Sequence, residues 1–564
     1  MKKKLVVLLL CFVTALVFAA ACGRNGNDDN VTAGPTPAAA PADNQPADNQ
    51  PADDNQPTQD NGSRWGDPIR VSVSVWDASA SFAGEPCELY LYIQNRFGLT
   101  FEPIDIGWDN MSELPLLWAA ADNLPDIIGG LDMGIAIYRD WIDSGLVRPL
   151  PSDLSRWPNL NNWMSQTFMI ERMVDGEHYF IPRGTIPEQE ITALARGLIN
   201  RRDWREQLGI PVPVTEEDFL NMWQAFADNA ADLPGAADVV FGVLPGIPLF
   251  LLDHAFTGHG NTSGGWAPMG EGGSFVRPAF EYSSLPLMAF WREAFQRGLV
   301  DPDFVTNAVW QGNQSFALGQ SGTLIRQVVP IHMRNIYLEW REINPDIEFT
   351  EAIEILFPPT VPDREHSWLM GGGAWSETLI NSDVDDETLE RIMYLVDWKK
   401  SEAGITTMIF GFEGRDWEWQ NGEVIMLTDV DPETGRQLAA RDLYQYAAGG
   451  MTDLFIWSGD AVEWFDPNIP VGIRQLAIAH RDRVITPTTN FSFRNNRVAA
   501  IHIPELVELG VPNPVEEWVA FITDTSAVSH EELWHQFRAR WEASGLLRAY
   551  ELMTNEVQAR GYMD

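Results

Sequence analysis

The residue types best suited to catalysis lie in the string SHEELWH near the C-terminus. His530 and Glu531 are the side chains with which a helix can bind zinc and activate water. Such a helix needs its second histidine four residues after the first, on the same face, whereas His535 follows His530 by five residues. The string therefore predicts the start of an amphipathic surface helix and not a zinc site.

Other strings contain catalytic residue types without the spacing that catalysis requires. GQSGT, residues 319 to 323, lacks the G-x-S-x-G pattern of a nucleophile elbow. TGHGNTSGG, residues 257 to 265, has no phosphate-loop spacing and predicts a flexible loop. With 80 acidic residues, carboxylate pairs arise by chance, so a pair for glycoside hydrolysis is neither indicated nor argued against.

The elements that would position a site alternate between strand and helix. In IRVSVSVW, residues 69 to 76, every second residue is apolar, as in a strand. The sequence predicts an α/β architecture with a mainly parallel sheet, in which ligands bind beyond the carboxyl ends of strands. Such ends are predicted at Trp76 and Asp77, and at Trp108 and Asp109. The next predicted elements are helix 87–97, strand 100–106, helix 112–121 and a strand opening at 126–128.

Four longer helices are predicted further along the chain. Thr215 is a helix N-cap with Asp218 at the third position, and the glycine and proline at 298 and 302 stop another helix. The predicted helices lie at about 215–228, 285–297, 386–400 and 530–559, the last interrupted at Gly545.

The N-terminus predicts export. Three lysines, an apolar stretch from Leu5 to Ala21 and a final Ala-Ala-Ala are typical of a signal peptide covering residues 1–21. Cys22 follows directly, as in bacterial lipoproteins, where that cysteine becomes the lipid-bearing N-terminus. Because Ala19 replaces the usual leucine, simple cleavage and release is the alternative. A transmembrane helix is the weaker interpretation, since it needs about 20 apolar residues.

Composition limits the possible roles of the chain beyond the signal peptide. Residues 22–64 repeat PADNQ and lack large apolar residues, which predicts a disordered tether carried by the lipid anchor. The net charge is −42, and about −45 after loss of the three N-terminal lysines, which disfavours binding to nucleic acid or anionic headgroups. Three cysteines allow no disulfide framework. Most of the 23 tryptophans are expected in cores and a minority as stacking platforms for a ligand.

Several strings, in order along the chain, resemble one family: the extracellular solute-binding lipoproteins of bacterial ABC sugar importers, in the long Gram-positive branch of the family 1 solute-binding proteins. The strings are NLPDII, WIDSGLVRPL, VDGEHYFIPR, RRDWREQLGI, RGLVDPDF, DWKKSEAGITTMIFGFEG and FITDTSAVSHEELWHQF.

The resemblance implies a periplasmic-binding-protein-like type II fold, with two α/β lobes joined by a multi-strand hinge. The expected N-terminal lobe is 65–185 plus 370–425, and the C-terminal lobe is 186–369 plus 426–564. Closure of the lobes over a carbohydrate would present a distinct surface to permease subunits of an ABC transporter, with no covalent step. The expected protein is a monomer bound to the membrane through its lipid anchor, with no enzymatic activity and no cofactor.

Sugar rings stack on tryptophan and tyrosine, and sugar hydroxyls pair with charged side chains. We expect the ligand residues among Trp76, Asp77, Trp108, Asp126, Tyr179, Arg183, Trp266, Arg326, Trp375 and Glu413. Structural roles are the alternative for each: Asp126 as a turn cap, Glu413 as a partner of Arg415, and Trp375 as hinge packing.

Some relatives carry a calcium loop of the D-x-D-x-N-G type after the segment that matches TEEDFLNMWQAF. Here Asp232 and Asp238 match ligand positions, but Pro234 and Ala236 replace oxygen donors and the first position is lost. We expect no metal.

The sequence supports two functions of different class. The first is a lipid-anchored receptor that captures an oligosaccharide. The alternative is a surface glycoside hydrolase or another polysaccharide-acting enzyme, and a peptide is a weaker alternative ligand.

Overall fold

The computed structural model describes most of the chain from Arg64 to Tyr562. The positions outside the described residues are 1–63, 77, 79–81, 83, 108–109, 112, 132–134, 171, 184–195, 245–251, 253–255, 257–264, 306–310, 362–366, 370–375, 421–422, 431–436, 445–453, 456–468, 485–489, 493–497, 499–500 and 563–564. The predicted signal peptide, Cys22 and the predicted tether up to residue 63 therefore lie outside them.

Strands and helices alternate along the described chain. The strands are β1 (Ile69–Trp76), β2 (Leu99–Ile106), β3 (Ile127–Leu131), β4 (Arg196–Arg201), β5 (Phe241–Leu244), β6 (Ser321–Gln327), β7 (Ile353–Leu356), β8 (Ser367–Leu369), β9 (Glu377–Ile380), β10 (Trp417–Gln420), β11 (Glu423–Met426) and β12 (Asn490–Ser492). The helices are α1 (Glu88–Phe97), α2 (Leu114–Ala120), α3 (Ile135–Asp143), α4 (Pro158–Met164), α5 (Thr167–Ile170), α6 (Arg202–Gln207), α7 (Glu216–Asp228), α8 (Leu285–Gln296), α9 (Gln311–Ala317), α10 (Pro330–Ile343), α11 (Phe349–Ala352), α12 (Asp386–Lys399), α13 (Glu402–Phe410), α14 (Ala440–Leu443), α15 (Val471–Val484), α16 (Pro504–Glu508), α17 (Pro514–Ile522), α18 (His530–Ala543) and α19 (Leu546–Arg560). Short 3-10 helices cover Ala230–Asp232, Glu271–Gly273, Pro278–Phe280 and Tyr282–Ser284.

The first sheet has the order β2-β1-β3-β9. β1 runs parallel to β2 and β3, and β9 is antiparallel to β3. The valines of β1 are buried in one hydrophobic cluster. Ser74, which lies between two of these valines, forms hydrogen bonds to β3: its Oγ accepts from Gly129 N and donates to Gly129 O, both at 3.0 Å. Both faces of β1 are thus engaged, as is usual for a central parallel strand.

The second sheet has the order β5-β6-β4-β7. β5 and β6 are parallel, whereas β4 is antiparallel to both β6 and β7. The predicted mainly parallel pairing therefore describes the first sheet but is wrong for the second. Alternation of strand and helix locates strands, but it does not determine the direction in which a strand enters a sheet from elsewhere in the fold.

Each sheet has its own hydrophobic core. The largest cluster surrounds the second sheet and includes the fully buried Trp204, Trp223 and Trp291. The first sheet packs against a separate cluster, which Ala440 and Leu454 also join. The chain leaves the first sheet after β3, forms the second sheet with β4 to β7, and returns to the first with β9. The exact lobe boundaries remain a prediction.

The four longer helices are confirmed within a few residues. At the start of α7, Thr215 and Asp218 form the predicted capping box. Gly298, after α8, and Gly545, between α18 and α19, have φ of 71° and 99°, which glycine adopts without strain.

The string HEELWH opens the amphipathic helix α18, as predicted. Its buried residues are Leu533, Trp534, Phe537 and Trp541, while His535 is exposed. Across the described part of the chain, no cluster of three or more His, Cys, Asp or Glu side chains suited to a metal was found. Nor does any described helix combine the length and apolar composition that a membrane crossing requires.

Candidate ligand-binding site

A group of side chains lies where the chain leaves the first sheet and returns to it. The outgoing segment 181–183 pairs with the start of β9: Ile181 N donates to Thr378 O at 2.9 Å, and Arg183 N donates to Ser376 O at 3.0 Å. We call Trp76, Arg183, Ser376 and Lys400 the crossover site. Its position, at the carboxyl end of β1 and beside two connections to the other sheet, is where open α/β sheets bind ligands.

Trp76 and Arg183, both predicted ligand residues, are in direct contact. The Arg183 guanidinium carbon lies 4.2 Å from the centroid of the Trp76 ring. Because Trp76 is 6% exposed and Arg183 is 4% exposed, this cation–π contact is largely shielded from water and is worth about 2 kcal/mol. Gly130 lies beside the ring with a φ of 73°, and a Cβ there would make a tight contact of 3.3 Å with Trp76 Cε2. A ligand that reaches this end of β1 would meet a cation held on an aromatic face.

Lys400 adds an amine donor to the crossover site. Its Nζ donates to Pro182 O at 3.2 Å and lies 4.4 Å from the centroid of the Trp163 ring. Burial holds the pKa of Lys400 well below its ordinary value, and the nearby charges of Lys399 and Arg183 lower it further. The amine of Lys400 and the guanidinium of Arg183 are donors that suit hydroxyl oxygens.

Ser376 has an unusual backbone at the point of return. Its φ is +60° although it is not a glycine, and the residue is 1% exposed. Non-glycine residues in this region cluster at functional sites. The next residue, Glu377, fixes the segment: it accepts from Arg172 Nη1 at 3.0 Å and from Tyr138 OH at 3.1 Å. The returning connection is thus held rigidly next to Arg183.

Two other predicted residues, Tyr179 and Asp126, lie on or beside the first sheet. Tyr179 packs against the hydrophobic cluster that contains Trp76, and its hydroxyl donates to Glu177 Oε2 at 3.2 Å. Asp126 lies at the amino end of β3, away from Trp76, and its carboxylate accepts from Ser72 N at 2.7 Å and Ser72 Oγ at 2.8 Å. These contacts join β3 to β1. Asp77, Trp108 and Trp375 lie outside the described residues, so their roles stay predictions.

The remaining predicted residues lie on other elements. Trp266 is partly buried against the core of the second sheet, and Glu413 is exposed in the turn after α13. Arg415, considered above as a partner of Glu413, bonds with Glu88 at 2.9 Å and Asp416 at 3.0 Å. The described residues do not test a ligand role for either Trp266 or Glu413.

Arg326 is on β6, opposite Gly197 of β4, and is 7% exposed. Burial lowers its pKa to about 10, partly offset by the charge of Glu339. Its neighbour His332, on α10, has its pKa lowered to about 3, first by burial and then by the charge of Arg326, against a hydrogen bond to the Gln327 backbone. The native protein therefore keeps His332 neutral at mildly acidic pH.

This neutral histidine predicts an acid-dependent loss of stability. As the pH falls below about 6.5, the unfolded chain binds a proton at His332 that the native protein does not bind until about pH 3. The free energy of unfolding should therefore decrease with falling pH across that window. Because the side chain is partly exposed, we expect His332→Gln to remove only about 1 kcal/mol of the decrease between about pH 7.5 and about pH 5. Urea unfolding of the wild-type protein and of His332→Gln at the two pH values measures this difference. Equal decreases in the free energy of unfolding of the two proteins would contradict the prediction.

Sequence reasoning missed Ser376 and Lys400. Ser376 gives no signal in the sequence, because its pairing with Arg183 joins residues far apart in the chain. Lys400 does give a signal in the sequence, because Lys399 and Lys400 are the only lysines in the chain beyond the predicted signal peptide. Their adjacency in a chain that otherwise uses arginine could have indicated a special position.

Comparison with known proteins gives relatives by sequence and by structure. No family model matches the chain. The chain is 26% identical over 327 residues to the polygalacturonan/rhamnogalacturonan-binding protein YtcQ of Bacillus subtilis, covering 56% of this chain and 61% of that protein. It is 24% identical over 235 residues to lipoprotein LipO of the same organism, covering 40% of this chain and 44% of that protein. The matches thus span less than two thirds of these curated relatives.

A solved structure matches nearly the whole chain. The ABC-transporter substrate-binding protein FusA of S. pneumoniae, in complex with kestose, has a TM-score of 0.63 with 14% identity, covering 88% of this chain and all of that one. The fold is therefore of the periplasmic-binding-protein-like type II, as predicted. The chain therefore shares its fold with this substrate-binding protein and is similar in sequence to a polysaccharide-binding protein and a lipoprotein.

Proposed function

We propose that the protein is an extracellular receptor that captures an oligosaccharide between two lobes and delivers it to an ABC transporter permease. The observation that carries this function is the crossover site: a buried tryptophan and arginine in contact, at the carboxyl end of β1 and beside both connections to the second sheet. A ligand bound there would touch the segments about which the two halves of the molecule move. Binding would then favour one arrangement of the halves over the other.

Carbohydrate is the ligand class that fits the relatives. The Bacillus protein is named for polygalacturonan and rhamnogalacturonan, and the S. pneumoniae protein was solved with kestose. Aromatic rings provide faces for sugar C–H groups, and Arg183 and Lys400 provide donors for sugar oxygens. Together these features favour a saccharide over a peptide.

Reversible binding accounts for these features without catalysis. The sequence relatives are named as a binding protein and a lipoprotein rather than as enzymes. The buried carboxylate nearest to the crossover site, Glu377, is held by Arg172 and Tyr138 in a structural network. We therefore propose that the bound sugar is released unchanged.

Attachment to the outer face of the cell membrane completes the proposal. The predicted signal peptide ends directly before Cys22, and one relative is named a lipoprotein. A lipid on that cysteine, followed by the predicted tether, would keep the receptor near its permease.

Calorimetric titration of the purified full chain in detergent tests the function. The panel should contain neutral oligosaccharides such as fructo-, galacto- and manno-oligosaccharides, together with oligogalacturonides and peptides. We expect saturable binding of at least one oligosaccharide and no new reducing ends after prolonged incubation. A folded protein that binds no saccharide would refute the receptor function, and release of shorter sugars would establish the hydrolase alternative.

A further inference from the structure

Arg277 occupies a distinctive position beside the core of the second sheet. It follows a short hairpin in which Ala267 and Val276 exchange two backbone hydrogen bonds of 2.9 Å. The hairpin places the Arg277 guanidinium carbon 5.2 Å from the centroid of the Trp266 ring. Tyr550 of α19 supports the same ring edge-on, with centroids 6.0 Å apart. Trp266 and Arg277 are both partly exposed, so their pair lies at the surface of the protein.

The Arg277 guanidinium has no hydrogen-bond or ion-pair partner among the described residues. Its Nε is fully buried without a partner, and burial lowers its pKa. Other buried arginines of the described chain do reach carboxylates: Arg201 reaches Asp203 at 2.7 Å and Arg292 reaches Asp524 at 3.1 Å. Although the chain has 80 acidic and 38 basic residues, no described carboxylate pairs with Arg277.

Glu281, four residues along the chain from Arg277, already binds two other side chains. Glu281 Oε1 accepts from Arg538 Nη1 at 2.8 Å and from Tyr550 OH at 2.8 Å. Tyr550 therefore contacts Glu281 through its hydroxyl group and Trp266 through its ring. The charge of Glu281 is thus already paired with Arg538.

The chemistry of the pair points to an anionic ligand. A shielded cation gains strongly from a carboxylate, and the planar guanidinium matches the two carboxylate oxygens. Trp266 beside it offers a flat apolar face to the ring that carries the carboxylate. A neutral sugar would use the tryptophan, but it would leave the cation without a partner.

We propose that Trp266 and Arg277 form a subsite for a uronic acid residue of an acidic oligosaccharide, in which Arg277 pairs with the carboxylate and Trp266 contacts the sugar ring. The proposal rests on the proposed function and adds the charge of the ligand to it.

Titration calorimetry with trigalacturonate and with its fully methyl-esterified form tests the subsite. The two probes differ in charge and share the sugar backbone. We expect the wild-type protein to bind the acid more tightly, and Arg277→Gln to weaken binding of the acid by about tenfold to a hundredfold while leaving the ester almost unchanged. Arg277→Lys keeps the charge but loses the planar fork, and should restore only part of the affinity. Arg156→Gln, at a distant arginine that also lies over a tryptophan ring, removes the same charge and should have no effect.

Each outcome separates the subsite from the receptor function. Equal affinity of the wild-type protein for acid and ester, or equal losses for both in Arg277→Gln, would overturn the subsite and leave the receptor function intact. Binding of neutral oligosaccharides alone would also overturn the subsite and leave the receptor function intact. Binding of no saccharide of any kind would overturn both. Thermal melting of each variant confirms that it is folded, and if Arg277→Gln does not fold, Arg277→Lys and the wild-type preference for acid over ester decide the question.

Discussion

Replacement of Trp223 by alanine is expected to lower the free energy of unfolding by about 3–5 kcal/mol. The side chain is 0% exposed and stacks on Trp291, with centroids 6.2 Å apart and planes at 12°. Its Nε1 also donates to Thr323 Oγ1 at 3.0 Å, and that hydroxyl donates to Asn200 Oδ1 at 2.8 Å. The substitution therefore opens a cavity in the largest core and leaves Thr323 with an unfilled acceptor. Urea denaturation followed by far-UV circular dichroism measures the loss.

Trp223→Phe separates the two contributions. Phenylalanine fills much of the volume but cannot donate to Thr323, so we expect a smaller loss of about 1–3 kcal/mol. Trp419→Phe, at a partly exposed ring, is the matched control and should change the free energy of unfolding little. A loss below about 1 kcal/mol in Trp223→Ala would show that the core around the second sheet is not packed as described.

Arg183→Gln is expected to weaken binding of the oligosaccharide identified in the panel by about tenfold to a hundredfold. Arg183 is the charged side chain that links the end of β1, through the Trp76 ring, to the outgoing connection. Its loss would remove the proposed charge-assisted hydrogen bonds to sugar oxygens and the cation held on the Trp76 ring. Calorimetry at a temperature well below the melting transition measures the affinity.

Trp76→Phe tests whether the ring positions the arginine. Phenylalanine keeps an aromatic face with a weaker attraction for the cation, so an intermediate affinity is expected. Wild-type affinity in Arg183→Gln, with the fold intact, would place the ligand elsewhere and refute the crossover site as the binding site.

The amino-acid sequence predicts the elements of the fold well where the signals are local. Alternating valines identify β1, Thr215 and Asp218 identify the start of α7, and Gly545 separates two helices, because each depends on backbone geometry within a few residues. The direction of β4 was not predictable, since it depends on how the chain enters the second sheet and not on its own residues.

The candidate site was predicted only in part, because its residues come from distant parts of the chain. Trp76 was predicted from its residue type and the end of its strand, and Arg183 from its residue type in a string that carries the family resemblance; the structure brings the two into contact. Asp126 was also predicted from such a string, yet it lies at the opposite end of the sheet because it precedes its strand. Pairings over long distances in the chain, such as Arg183 with Ser376 or Trp266 with Tyr550, have no local signature.

The return of β9 to the first sheet also sets an order of assembly. Ile127 pairs with Ile380, so the first sheet cannot be completed until the intervening chain, including the entire second sheet, is present. The pairs β1–β2 and β1–β3, such as Ile69 with Leu99 and Val73 with Ile127, close much shorter loops, which costs less entropy. We therefore expect β1, β2 and β3 to pair first, while one edge of β3 remains unpaired until β9 is added.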